Sequence, residues 1–124
     1  MNSFSLPYKT VAMVTAALFA LLCLTLFAMP SIVYWLFSIE ASGAADVLAK
    51  RAAMLFVGLT TILVWTRNHP ASDTLTAIAY TIAVTMLGLA GLGIFEWAQD
   101  NVGPGIGVAI VTELLIAAAL FRTR

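Results

Sequence analysis

Glu113 is the residue of this sequence best placed to do chemistry, because it is the only charged residue in the apolar segment 105–121. A carboxylate inside a membrane span is costly and is by default a functional-site hypothesis. Gly105, Ala109, Glu113 and Ala117 follow one another at i+4 steps, which places the acid on a stripe of small residues along one helix face. Membrane helices approach closely at such stripes. We therefore expect Glu113 to face other helices rather than lipid.

Two residues are candidate partners for this acid. Depth can be counted at about 1.5 Å per residue from the helix ends on the side that carries Arg67 and Arg122. On this count Tyr80 lies at a similar depth to Glu113, and Arg51 lies further from that side. A long Arg side chain and a Glu side chain that point toward each other could still meet. Two roles stay open for this polar core: a structural one, in which Glu113 pairs with Arg51 or bonds Tyr80 or a threonine, and a ligand or proton site. Alone, Arg51 would extend to the outer headgroups.

The remaining reactive side chains predict no catalytic residue, metal or cofactor. Cys23 is the single cysteine and lies in an apolar run, while the single histidine, His69, precedes a proline in a polar turn. Neither has a second His or Cys at metal-ligand spacing. No Ser/His/Asp or Cys/His set has a plausible meeting point, and no phosphate-binding Gly-x-x-x-x-Gly-Lys pattern occurs. An enzyme is therefore the least favoured class of function.

The elements that must position these residues are membrane helices. Of the 124 residues, 62% are hydrophobic and 10% charged, against roughly 45–50% and about 25% in soluble domains. The pattern predicts one all-α domain over 1–124, a four-transmembrane-helix bundle with spans at about 10–29, 46–66, 74–95 and 105–121. The first span also resembles a signal peptide, but its length and its poor cleavage site favour retention. Segment 31–39 is too short to cross and predicts an aromatic-rich turn or short helix at the interface.

Charge predicts orientation and excludes nucleic acid as a partner. Six basic residues balance six acidic ones, so no basic field exists to hold a nucleic acid. One side of the predicted bundle carries most of the basic residues, namely Lys9, Arg67, Arg122 and Arg124, and the other carries Lys50 and Arg51. By the positive-inside rule, both termini face the cytoplasm.

The layout resembles the uncharacterised DoxX-like four-helix proteins of the bacterial inner membrane. The resemblance rests on an apolar first span that ends near a proline (Leu26–Pro30), a basic residue that opens a Gly-bearing second span (Arg51–Leu59) and a late Glu-Leu-Leu (Glu113–Leu115). It implies the fold and a location in the bacterial inner (plasma) membrane. It implies no activity, since members of that group mostly have none assigned.

Two functional hypotheses follow. The first is a non-enzymatic accessory or interaction protein that holds a small amphipathic or lipid-like ligand, with membrane lipids and a homo-oligomer or larger membrane complex as partners. The alternative is a proton-coupled small-molecule transporter or channel that acts as an oligomer, with Glu113 as the titrating site. The transporter predicts several polar residues that converge on a water-filled cavity, whereas the packing role predicts one satisfied pair in a dry core.

Overall fold

The computed structural model describes residues 6–123, and this part of the chain is helical. Its five helices are α1 (Tyr8–Ala28), α2 (Pro30–Phe37), α3 (Gly43–Thr66), α4 (Asp73–Ala98) and α5 (Ile106–Phe121). By length and composition, α1, α3 and α4 could each cross a membrane. Helix α5 is equally apolar but has 16 residues, about 24 Å at 1.5 Å per residue. No strand occurs between residues 6 and 123.

Serine caps determine where two of the long helices begin. The Ser42 hydroxyl accepts a hydrogen bond from the Ala45 N–H at 3.0 Å, and the Ser72 hydroxyl accepts one from the Leu75 N–H at 3.1 Å. An acid follows in the first turn of each helix, where it complements the helix dipole. The predicted spans begin at about 46 and 74, so α3 begins about three residues and α4 about one residue before its predicted span.

Helices α1 and α3 form one antiparallel pair. The Tyr8 and Thr66 hydroxyls lie 2.9 Å apart at one end of the pair. Further along, the Phe19 and Phe56 ring centroids lie 5.2 Å apart. From the first contact to the second, the residue number rises on α1 and falls on α3, so the two helices run antiparallel.

Helices α4 and α5 form the second antiparallel pair. Near one end the Tyr80 and Phe121 rings pack edge to face, with their centroids 5.0 Å apart. Near the other end, a Cβ added at Gly93 would lie 3.1 Å from Ile110 and 3.5 Å from Ile106. Glycine is therefore what allows α4 and α5 to approach closely there.

One buried core joins the two pairs. It contains residues of α1, α3, α4 and α5, among them the fully buried Leu63 and Met86. Ala12, Ala16 and Ala117 lie in the same cluster and are at most 3% exposed. In lipid the attraction between helices comes from close packing rather than from the hydrophobic effect, so small side chains at the contact stabilise the bundle. On α1, Ala12 and Ala16 lie one turn apart and form part of this packing surface.

Helix α2 closes one end of the bundle and is tied to both pairs. The Tyr34 hydroxyl donates to an Asp46 carboxylate oxygen on α3 at 2.8 Å. The Gly103 N–H, in the turn between α4 and α5, donates to the Phe37 carbonyl oxygen at 2.8 Å. The segment that is too short to cross is thus a short helix, as predicted, and it is anchored on both sides.

Basic residues lie together at the end of the bundle opposite α2. The contact between Tyr8 and Thr66 brings their neighbours Lys9 and Arg67 to the same end. The Leu6 N–H donates to the Arg122 carbonyl oxygen at 2.8 Å, which adds Arg122 to this group. Both described chain ends therefore lie at one end of the bundle, and α2 lies at the other.

Candidate functional site

Glu113 lines a cavity beneath α2, and the wall of this cavity includes Leu18 and Val108, which are exposed at the surface of the bundle. The cavity has a volume of about 200 Å³, and side chains from all five helices form its wall. An apolar cavity of about 150 Å³ is large enough to bind benzene. The acid therefore borders a space that can hold a small organic molecule. Its position on α5 faces neighbouring helices, as the stripe of small residues predicts.

The wall of this cavity is apolar except at two adjacent residues, Thr112 and Glu113. The Thr112 hydroxyl donates to the Val108 carbonyl oxygen of its own helix at 2.8 Å. Across residues 6–123, no side chain or backbone N–H donates a hydrogen bond to the Glu113 carboxylate, and no basic group pairs with it. The Glu113 carboxyl group therefore has no partner in the described chain and can form hydrogen bonds with a bound molecule.

Arg51 is not part of this site. Its side chain is exposed, whereas Ala49 and Ala53 on either side are buried against α1. Successive helical residues are about 100° apart, so a residue midway between two buried i, i+4 neighbours lies on the opposite face. Within the described chain, no ion pair joins Arg51 to Glu113. The expected pair rested on depth alone, and the helix face on which Arg51 lies prevents it.

Tyr80 also lies away from Glu113. Its side chain is 44% exposed and its ring packs against Phe121. Phe121 is eight residues beyond Glu113, which is about 12 Å along the helix. The prediction that Tyr80 and Glu113 lie at a similar depth requires α4 and α5 to end at the same level. However, α4 has 26 residues and α5 has 16. Helix α4 therefore extends past α5, and Met86 is the α4 residue in the cavity wall beside Glu113.

Three phenylalanines complete the cavity wall, and sequence reasoning did not select them. Phe19 comes from α1, Phe37 from α2 and Phe56 from α3. They are far apart in the sequence, and apolar aromatic residues are common in membrane helices, so no local pattern marks them. Only the folding of α2 over the helix pairs brings Phe37 beside the other two.

A groove between α1 and α5 adjoins the cavity. This groove has a volume of about 390 Å³ and shares Leu18, Thr112 and Ile116 with the cavity wall. Its edges include Val14 on α1, which is 56% exposed, and Leu115 on α5, which is 66% exposed. Leu18, which is 39% exposed, lies in the wall of both spaces.

The other residues considered for chemistry lie apart from the cavity. Cys23 is a partly buried free thiol and His69 is exposed in the turn before α4. Among residues 6–123, no three His, Cys, Asp or Glu side chains are grouped so that they could hold a metal ion.

No family model, curated protein or solved structure matches this chain.

Proposed function

We propose that this chain is a multi-pass protein of the bacterial inner membrane, a bundle of four spans that binds a small lipid-like molecule in the cavity beside Glu113. The observation that carries the proposal is this cavity, which is apolar, holds one carboxyl group without a partner in the described chain and lies beside the α1–α5 groove. Ligand sites in proteins are typically apolar pockets with a few polar groups that orient the ligand. The proposal is of a binding protein, not of an enzyme.

Exposed apolar side chains support the membrane location and the use of α5 as a fourth span. Trp35 and Trp65 are 80% and 77% exposed, and Leu55 is 73% exposed. Such surface is costly in water but is the expected surface against lipid. A helix slightly shorter than the hydrocarbon layer is accommodated by thinning of the bilayer at modest cost. Helix α5 is antiparallel to α4 and can return the chain across the membrane.

The orientation that we propose places both chain ends in the cytoplasm. Lys9, Arg67 and Arg122 lie together at the end of the bundle opposite α2. Basic residues close to span ends are retained on the cytoplasmic side. Helix α2, with Tyr34 and Trp35, would then lie at the outer interface, where aromatic side chains are enriched.

The hydrogen bonds of the threonines favour binding over conduction. A proton-coupled transporter or channel needs a chain of exchanging groups or water between the two sides. The hydroxyls of Thr61, Thr81 and Thr85 instead donate to backbone carbonyls of their own helices at 2.7–3.0 Å. The Thr60 hydroxyl is buried without a hydrogen-bond partner in the described chain, but Thr60 does not line the cavity. Thr61, Thr81 and Thr85 do not line it either, and this favours binding over conduction.

A matched pair of tryptophan substitutions tests the binding function. Leu18 lines both the cavity and the groove, whereas Leu21, on the same helix, is 64% exposed and lines neither. The protein and the variants Leu18→Trp and Leu21→Trp are extracted in a lipid-preserving polymer, and the bound small molecules are identified by mass spectrometry. We expect a molecule that is retained by the parent and by Leu21→Trp but depleted in Leu18→Trp. Identical contents in all three, with equal thermal stability, would reject the proposal.

A further inference from the structure

We propose that the ligand of this cavity is a single-chain lipophilic amine, with its ammonium group at Glu113 and its hydrocarbon tail in the α1–α5 groove. This inference rests on the proposed binding function and assigns the chemical class of the ligand. Three features of the site carry it: the unpaired carboxylate, the aromatic residues in the same cavity wall and the shape of the space.

The first feature is charge complementarity. A carboxylate accepts several hydrogen bonds, and an ammonium group supplies donors and no acceptor. Nothing in the described chain supplies a donor or a positive charge to Glu113. Hydrogen bonds between an ammonium and a carboxylate are among the strong ones in proteins. The complex of the two carries no net charge, which avoids the cost of a lone ion inside the membrane.

The second feature is the aromatic wall. Phe19, Phe37 and Phe56 line the same cavity as Glu113, and the Phe19 and Phe56 rings are tilted against each other at 5.2 Å. Aromatic faces attract cations, and recognition of ammonium groups by several aromatic side chains is a recurrent arrangement. A neutral alcohol would gain only the hydrogen bond to Glu113, and a fatty acid would be repelled by it. The combination of a carboxylate with three rings therefore favours an amine.

The third feature is the shape of the space. On α5 the groove runs from Thr112, the neighbour of Glu113, to Ala119, seven residues away, or about 10 Å. Apolar side chains and a few threonines line it between the two helices. A single flexible chain fits a groove that is bounded by one helix on each side. The head of the ligand would then lie under α2 and its tail between α1 and α5.

The experiment compares probes that share one tail and differ in their head. The parent protein is reconstituted in nanodiscs of zwitterionic lipid and titrated with dodecylamine, dodecyltrimethylammonium, dodecanol and dodecanoate. Bound probe is measured by native mass spectrometry, with empty nanodiscs as the partition control. We expect both cations to bind at least about tenfold more tightly than dodecanol, and dodecanoate to bind most weakly. This comparison uses the unaltered protein and does not depend on the folding of a variant.

Variants then locate the cation. We expect Glu113→Gln to weaken dodecylamine binding by about tenfold or more while dodecanol binding changes little. Glu40→Gln, on the exposed loop before α3, is the matched control and is expected to have no effect. Phe37→Leu should weaken dodecyltrimethylammonium more than dodecanol, and Phe95→Leu, outside the cavity on a 57% exposed residue, should not.

The outcomes separate this inference from the proposed function. Dodecanol and the cations could bind with equal affinity, and Leu18→Trp could abolish the binding of all of these probes. The cavity would then bind lipid-like molecules, but the amine assignment would be wrong. Preferred binding of dodecanoate would also overturn the amine assignment. If no probe binds in a manner sensitive to Leu18→Trp, both the assignment and the proposed function fail.

Discussion

Gly105 lies directly against the backbone carbonyl of Leu36, so close that a Cβ at position 105 would overlap the carbonyl oxygen. This contact joins the turn before α5 to α2, and it lies beside the hydrogen bond from the Gly103 N–H to the Phe37 carbonyl. Because Leu36 and Phe37 also line the cavity, the same contact sets the distance between the roof of the site and the helix that carries Glu113.

We expect Gly105→Ala to destabilise the protein. The added methyl group meets backbone rather than a flexible side chain, so α2 or the turn must shift, at a cost of about 1–3 kcal/mol. Gly91→Ala is the control, because a Cβ at Gly91 meets nothing within 4 Å. Thermal unfolding of the two variants in the same detergent measures the difference. Equal midpoints would show that α2 is not held against this turn.

We expect Tyr34→Phe to loosen α2 from α3. Tyr34 is 7% exposed and its hydroxyl donates to Asp46 at 2.8 Å, so the variant leaves the carboxylate without this donor. The unfolding midpoint should fall by a few degrees. The control is Trp35→Phe, which alters an 80% exposed neighbour on the same helix. An unchanged midpoint for Tyr34→Phe would mean that this bond does not anchor α2.

The Tyr34 hydroxyl also gives the fold a dependence on alkaline pH. Burial, the hydrogen bond to Asp46 and the negative charge of the Asp46 carboxylate all raise the pKa of Tyr34 above its usual value of 10. A raised pKa favours the protonated form in the folded state, so this contribution is complete below pH 10 and is lost as the pH rises through the folded pKa. We expect the parent to lose stability above pH 10 more steeply than Tyr34→Phe. Parallel pH profiles would contradict this.

Accessibility labelling in cells tests the proposed orientation. Ser42 and Ser72 both cap helices, so single cysteines are better placed at their exposed neighbours, as Ala41→Cys and Ala71→Cys in a Cys23→Ala background. A thiol reagent that does not cross the membrane should label position 41 in intact cells and position 71 only after the membrane is opened. The reverse pattern would invert the orientation.

The sequence predicted the helices better than it predicted the site, for a physical reason. Helices in membranes are marked by long apolar runs, and the charges and prolines between the runs mark where they stop. The position of a side chain around its helix and the offset between neighbouring helices depend on tertiary packing. Depth along the chain suggested Arg51 and Tyr80 as partners of Glu113. Arg51 is separated from Glu113 because it lies on the opposite face of α3. Tyr80 is separated from Glu113 because α5 is shorter than α4.

The last prediction concerns the cost of removing the acid. From the sequence, an Arg51–Glu113 pair predicts that Glu113→Ala is more harmful than Glu113→Gln, because glutamine keeps a side-chain oxygen that can accept a hydrogen bond from the arginine. In the structure Arg51 is exposed, and no group in residues 6–123 donates to the Glu113 carboxyl group. Neither substitution therefore deprives another described group of a hydrogen-bond partner, and each removes an ionisable group from an apolar wall.

We therefore expect Glu113→Gln and Glu113→Ala to unfold at or slightly above the temperature of the parent, within about 1 kcal/mol of each other. Leu63→Ala, at a fully buried core position, is the destabilised reference, with an expected loss of about 2–5 kcal/mol. The same samples are examined for oligomeric state and, in proteoliposomes under a pH gradient, for proton flux. A loss of stability in Glu113→Ala comparable to that in Leu63→Ala would restore a structural role for the acid. Normal stability with abolished proton-driven flux would instead favour the transporter over the binding protein.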